Sequence, residues 1–223
     1  MNRNIKKIIV TGSSLGMGAA ITKKFLEPGE GVEVHGIDVL PATIENANYI
    51  HHIADIYSSN LPEIPECDVL INNAGVQNSG RDIDVNLKGL IRCTEKYALN
   101  NPCIKTVVNM ASVSAHNGCE FPEYVASKGG VVAYTRWVAK ELANYGATCN
   151  SLSFGGVITD LNRPVMDDRE KWAAIMNLTP LRKWCTAEEA AEWVYFLVRT
   201  NTSMSGQDII IDNLETLNDT FIW

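Results

Sequence analysis

The feature that most constrains what this chain can fold into is a glycine-rich turn, Thr11-Gly12-Ser13-Ser14-Leu15-Gly16-Met17-Gly18. It lies between a short apolar run, Lys7 to Val10, and a segment of helical period, Met17 to Leu26. Glycines at a strand-to-helix junction permit a tight turn and let backbone N–H groups approach a pyrophosphate at the helix N-terminus. Gly12, Gly16 and Gly18, with Ser14, Leu15 and Met17 between them, are therefore candidate phosphate-cradle residues. The spacing is GxxxGxG rather than GxGxxG, and a plain turn is the competing reading.

The rest of the chain repeats this alternation. Val32 to Ile37, Tyr49 to His52, Val69 to Asn72, Thr106 to Asn109 and Asp208 to Ile211 read as strands. Asp84 to Asn100, Glu123 to Tyr145 and Ala187 to Thr200 have helical spacing. Apolar strands separated by helices are what a mostly parallel sheet covered on both faces requires, so the expected fold is α/β, doubly wound. In such a sheet ligands bind beyond the carboxyl ends of the strands. With 223 residues and no linker, repeat or low-complexity tract, a single domain over residues 1–223 is expected.

A formal charge of −7 and a pI near 5.1 argue against nucleic acid or an anionic membrane as partner. The apolar run after Lys6-Lys7 is too short for a signal-peptide core or a membrane span, so a cytoplasmic protein is expected. Six scattered cysteines without a CxxC pair read as small, reduced, buried hydrophobes, and the four histidines lack metal-ligand spacing, so no metal is expected.

Three further groups carry chemistry. Tyr124 and Lys128 are four apart and share a helical face, where an ammonium can lower the pKa of a phenol and make it a proton donor and acceptor near neutral pH. A core tyrosine beside a solvated lysine is the bland alternative. Asp38, ending the second strand, can accept hydrogen bonds from ribose hydroxyls and would repel a 2′-phosphate. No Arg or Lys follows it to hold that phosphate, which favours NAD over NADP. Asn72-Asn73-Ala74-Gly75 closes the fourth strand with residues suited to a backbone passing close to a cofactor.

Together these residues resemble the short-chain dehydrogenases/reductases of one-domain Rossmann type, over nearly the whole chain. The motifs are TGxxxGxG at Thr11 to Gly18, NNAG at Asn72 to Gly75, Asn86 in Asp84-Val85-Asn86, Ser112 in Asn109-Met110-Ala111-Ser112, and YxASK at Tyr124 to Lys128. Asn150 to Thr159 looks like the NxxxPGxIxT segment that contacts the nicotinamide amide, through Gly155, Val157 and Thr159. Thr179 to Ala191 resembles the PLxRxGxPEEVA stretch, and Ser205 to Asp212 the TGQxxxVDGG end. The resemblance implies Tyr124 as general acid/base, Lys128 lowering its pKa and holding the nicotinamide ribose, and Ser112 bonding the substrate oxygen. It implies Asn86 holding a relay water, and Asp55-Ile56 flanking the adenine beside Asn73, Ala74 and Gly75. Ser114 is a further candidate substrate contact. A homodimer or homotetramer built on the helices near Asn86 and Tyr124 is also implied.

The chain departs from the family pattern in places. Asp38 to Asp55 spans only seventeen residues and Asn73 to Asn86 only thirteen, so trimmed second and third crossovers are expected, with a more open pocket near Asn86. Phe154 and Cys185 replace the usual Pro and Gly, and Asp212-Asn213-Leu214 lacks the glycine pair. Residues 160–185, with Met166, Trp172, Ile175 and Met176, lie where a substrate lid is expected. The terminal Phe221-Ile222-Trp223 suggests an oligomer contact. The leading functional expectation is interconversion of a secondary alcohol and a ketone with NAD(H). The alternatives are an NADPH-dependent 3-oxoacyl-thioester reductase and a non-catalytic dinucleotide-binding sensor.

Overall fold

The structure is a computed structural model that describes residues 4–217, so the Phe221-Ile222-Trp223 expectation lies outside the described residues. Nine strands are present among them: β1 Lys7–Thr11, β2 Glu33–Asp38, β3 Tyr49–Ile53, β4 Val69–Asn72, β5 Thr106–Met110, β6 Thr148–Phe154, β7 Val157–Ile158, β8 Cys185–Thr186 and β9 Asp208–Ile211. Seven form one parallel sheet in the order β3-β2-β1-β4-β5-β6-β9, and β7 pairs with β8 apart from it. The strand order reverses between β1 and β4, the switch point where a doubly wound sheet opens its ligand crevice.

The helices are α1 Gly16–Phe25, α2 Leu90–Thr94, α3 Ser114–Asn117, α4 Pro122–Leu142, α5 Arg163–Met166, α6 Arg169–Leu178 and α7 Ala187–Tyr195. Ile83–Gly89 and Glu95–Leu99 extend α2 at both ends as π-helical turns, giving one unbroken run. Strand side chains alternate between faces, and here both faces are buried. Ile8 and Val10 pack with Ile21, Phe25, Val194 and Leu197 on one side, while Ile9, Leu70 and Val107 pack with Cys93, Tyr97, Val138 and Leu142 on the other.

The two short spans resolve differently. Between β2 and β3, residues 39–48 contain no helix, as expected of a trimmed crossover. After Asn73 the crossover carries an unbroken helical run from Ile83 to Leu99, against the expectation of a trimmed helix there. Residues 54–68, between β3 and β4, also carry no helix. Strand β6 was not among the expected strands because Thr148-Cys149-Asn150-Ser151-Leu152-Ser153-Phe154 reads as half polar. Every one of its residues is buried nonetheless. Its polar side chains find partners on neighbouring segments: Thr148 with Thr106 at 2.8 Å, Asn150 with the Met204 carbonyl at 2.8 Å, and Ser153 with Asp208 at 2.8 Å. Cys67, Cys93, Cys149 and Cys185 are buried thiols, whereas Cys103 and Cys119 are exposed, contrary to the expectation that all six are core residues. The missing glycine pair leaves its backbone behind, since Asn213 and Leu214 adopt φ of 53° and 71°, a left-handed region that side chains enter at a cost.

Candidate active site

The glycine turn is built by close approach. Gly12 has φ 67°, and a Cβ there would stand 2.7 Å from Ala74 Cα. A Cβ on Gly18 would lie 1.8 Å from the Gly12 carbonyl oxygen, so the helix can start against the turn only if that residue is glycine. Thr11, fully buried at the end of β1, accepts hydrogen bonds from the backbone N–H groups of Asn73 and Ala74, each at 3.0 Å. The Asn73 carboxamide returns two N–H bonds of 3.0 Å to the Thr11 and Gly12 carbonyls. The ends of β1 and β4 are thereby tied into one rigid wall. Thr11 was quoted in the sequence motif without a role of its own.

Two cavities open on this wall. One, of about 480 Å³, is bounded by Gly12, Leu15, Asp38, Asp55, Ile56 and Arg81. The other, of about 530 Å³, is bounded by Ser112, Tyr124, Lys128, Gly155, Val157 and Trp184. They share Met17, Asn73, Gly75, Val76, Thr159 and Leu161, forming a single trough over the carboxyl ends of the strands.

At the first end Asp38 is buried, accepting from Ser14 N–H and Leu40 N–H, both at 2.9 Å. Arg81, the basic residue lining this cavity, donates to Asp55 at 2.8 Å. Burial pushes the Asp55 carboxyl up, but the guanidinium and the N–H groups of Tyr57 and Ser58 outweigh it and hold the group at about 2.

At the second end Lys128 is buried and donates to the Met110 carbonyl at 2.9 Å, its ammonium 5.6 Å from the centre of the Tyr124 ring. Burial lowers its pKa to about 8 against the opposing charges of Glu120 and Asp82. Tyr124 is pushed up to about 12, first by burial and then by the charge of Glu120, with the neighbouring Ser112 hydroxyl pulling the other way and Asp82 adding to the rise. Lys128, expected to lower the phenol, is not among the groups that shift it. Ser112 and Ser114 are bonded at 3.0 Å, and Ser114 donates to Glu120 at 2.5 Å. Glu215 reaches the second cavity from the C-terminal side, where burial raises its carboxyl above the usual range, opposed by the Gly156 N–H, Trp184 and Thr179.

Several sequence-derived candidates sit elsewhere than expected. Ser14, Gly18, Asn86 and Ser114 do not line the trough. Ser14 and Gly18 support it from behind, and Ser114 stands behind Ser112, buried, rather than facing a substrate. The Asn86 side chain is tied to two segments: its oxygen accepts from Val76 N–H at 2.8 Å, and its amide donates to the Val76 carbonyl at 2.8 Å and Ser127 at 3.1 Å. Glu120, Glu215, Asp82 and Val76 were not singled out from the sequence. Only the position of Glu120, between Ser112 and Tyr124, could have drawn attention to it.

Residues 32–213 match a family model described as enoyl-(acyl carrier protein) reductase. The chain belongs to the short-chain dehydrogenase/reductase family. Among its relatives, glucose 1-dehydrogenase of Gluconobacter oxydans (strain 621H) is 28% identical, over 97% of this chain and 94% of that protein. A 3-oxoacyl-[acyl-carrier-protein] reductase of Chlamydia pneumoniae is 28% identical, over 93% and 95%. The ligand-free aldohexose dehydrogenase of Thermoplasma acidophilum shares the fold with a TM-score of 0.84 at 24% identity, covering 98% of this chain and 97% of that one. This family member is therefore an oxidoreductase that works by hydride transfer with a nicotinamide dinucleotide. The trough fits such a cofactor on its own terms. A side chain on Gly12 would collide with Ala74 and one on Gly18 with the Gly12 carbonyl, and the Asn73 carboxamide oxygen, on the boundary of both cavities, is buried without a partner.

Proposed function

We propose that this protein interconverts a secondary alcohol and a ketone with NAD(H), using Tyr124 as general acid/base. The observation that carries the reading is the convergence of Ser112, Tyr124 and Lys128 on the cavity that continues into the glycine-turn trough. When bound, the nicotinamide supplies or accepts the hydride. The protein's own residues do the rest. Asp38 keeps a lone pair on each oxygen for ribose hydroxyls, Lys128 holds the nicotinamide-side ribose, and Gly155, Val157 and Thr159 wall the ring. Ser112 fixes the substrate oxygen beside Tyr124, whose hydroxyl gives a proton to an alkoxide or takes one from an alcohol.

Asp38 supports NAD over NADP, because a carboxylate already buried at the ribose end disfavours a second anion. Glu120 and Glu215, both bounding the substrate cavity, disfavour an anionic substrate, including the phosphopantetheine thioesters of the reductase alternative. Residues 160–185 serve as the lid. Leu161 and Leu178 are each 64% exposed while lining the cavity mouth, and closing over a substrate would bury them. Active sites of this kind are carried in a homodimer or homotetramer. The testing experiment follows absorbance of NADH with a panel of ketones and secondary alcohols. Turnover is expected in the wild type, and Tyr124→Phe is expected to abolish it with NADH binding within about twofold of wild type. Retained turnover in the variant refutes the assignment.

A further inference from the structure

We propose that Tyr49 and His51, on β3 and outside both cavities, are positioning residues for cofactor choice: they close a ring of hydrogen bonds that holds the Asp38 carboxylate in place at the ribose end of the trough. The proposal rests on Asp38 as the group that favours NAD over NADP and adds what keeps it aimed. Three observations support it.

The ring is closed. Each oxygen of the Asp38 carboxylate is held by one backbone N–H, Oδ2 by that of Ser14 and Oδ1 by that of Leu40, both at 2.9 Å. The two segments carrying those N–H groups are joined on the far side by side chains. Ser13, next to Ser14, bonds the Tyr49 hydroxyl at 2.9 Å, that hydroxyl bonds His51 Nδ1 at 2.8 Å, and His51 Nε2 bonds the Leu40 carbonyl at 2.8 Å. Moving either N–H donor away from Asp38 therefore stretches this bridge.

The bridge runs in one direction, set by its last member. A carbonyl only accepts, so His51 Nε2 carries the hydrogen. In the neutral imidazole Nδ1 is then bare and accepts from Tyr49, whose oxygen in turn accepts from Ser13. Burial raises the Tyr49 phenol above its usual value, against the pull of the Ser13 hydroxyl, and Asp38 adds to the rise, so the phenol keeps its hydrogen.

The fold leaves a lane for the bridge. In the parallel pairing of β2 with β3, Val34 lies opposite Tyr49 and Gly36 opposite His51, so these four residues share one face of the sheet. Tyr49 crosses β2 to reach the turn after β1. A Cβ on Gly36 would collide with the Tyr49 and Ser13 hydroxyls, so glycine there keeps their meeting place open. The bridge also stands where a crossover helix is missing. Residues 39–48 carry none, and side chains tie that loop to the glycine turn instead, with Thr43 donating to the Ser14 carbonyl at 2.5 Å.

A fixed carboxylate keeps its free lone pairs toward the ribose hydroxyls and its charge toward a 2′-phosphate. A loosened one turns away, losing the first and relieving the second, so loosening weakens NADH more than NADPH.

The test uses Tyr49→Phe, which removes the central hydroxyl and keeps the ring, His51→Phe, which removes both imidazole contacts, and Ser13→Ala, which opens the bridge at the glycine turn. Each variant is titrated with NADH and with NADPH by fluorescence, and its thermal unfolding is recorded. Tyr49→Phe and His51→Phe should each weaken NADH binding about threefold to tenfold and leave NADPH within about twofold, narrowing the preference for NADH. Ser13→Ala combined with Tyr49→Phe should match Tyr49→Phe alone within about twofold, because both cut one chain. The proposal is overturned if the NADH-to-NADPH ratio of Tyr49→Phe and His51→Phe stays within about twofold of wild type. That includes the case in which both cofactors weaken equally as the melting temperature falls, which would make the bridge a support of the fold alone. Asp38→Asn, titrated alongside, separates the failures: an unchanged ratio there fails the reading of Asp38 and the ring with it, whereas a ratio narrowed by Asp38→Asn alone overturns only the ring.

Discussion

Replacing Thr11 with Val tests whether the wall that carries the site is held by one hydroxyl. The substitution keeps shape and β-branching at a fully buried strand position, so no cavity opens and strand preference is unchanged. What it removes is the oxygen that accepts the N–H groups of Asn73 and Ala74. Two backbone donors lose their acceptor in the interior, at about 1–3 kcal/mol each, less what the wall recovers by relaxing. A net loss of about 2–4 kcal/mol is expected, which for a chain of this size lowers the melting temperature by roughly 5–12 °C. Thr11→Ser, which retains the oxygen, should stay within about 1 kcal/mol of wild type. Thermal and urea unfolding of the three proteins, with NADH titration of each, measures both sides. The titration should show weaker NADH binding for Thr11→Val, because Asn73 and Gly75 bound both cavities and Ala74 the first. A melting temperature within about 2 °C of wild type, or destabilisation equal in Thr11→Ser, would refute the reasoning.

Asp38→Asn removes the charge-assisted hydrogen bonds to the ribose, each kind worth about 1.5–3 kcal/mol, so NADH affinity should fall roughly tenfold or more. NADPH should be affected less because its repulsion is removed as well, and an unchanged NADH-to-NADPH preference in fluorescence titration would discount Asp38 as the discriminator. Arg81→Met should alter acid stability with a defined sign. The folded pKa of Asp55 is depressed to about 2 from 3.8, so its contribution is present above about pH 4 and lost as pH falls through about 2. Without the guanidinium the folded value rises toward the unfolded one, and the acid-unfolding midpoint, followed by far-ultraviolet circular dichroism, should move to higher pH.

How much of this was legible in the sequence depends on which physical signal a residue carries. Where local pattern and tertiary role agree, as in the apolar runs of β1, β4 and β5 and the helical period of α4, strands and helices were readable to within a few residues. Strand β6 was hidden because its buried face is made of small polar side chains whose partners, such as Asp208 and Met204, lie far along the chain. The identities of Ser112, Tyr124 and Lys128 were visible as motifs, and the structure brings them onto one cavity. Their electrostatics were not visible. The charges that reach Tyr124 come from Glu120 and Asp82, and nothing in a linear reading says that Glu120 turns back through a left-handed backbone. Asn86 was found by motif, yet its bonding depends on the Val76 backbone and was accessible only in three dimensions.

The short crossovers lie away from the reacting end of the candidate site of this 223-residue chain. A crossover helix covers a sheet face, whereas a ligand of a parallel sheet meets the loops at the strand ends. The helix-free crossovers, residues 39–48 and 54–68, flank β3 at the sheet edge, the end of the strand order remote from β5 and β6. Ser112 follows β5, Gly155 follows β6, and Tyr124 and Lys128 stand on α4, so none of them depends on the lost helices. What β3 must still deliver is the turn after it, Asp55-Ile56, and a loop is enough once Arg81 fixes the carboxylate of Asp55 and Ile56 packs against Gly89. The cost falls on the sheet edge instead, where Ile50 and Ile53 are left 41% and 69% exposed. Shortening therefore trades covered apolar surface on the edge strand for chain length and leaves the reacting end of the trough untouched.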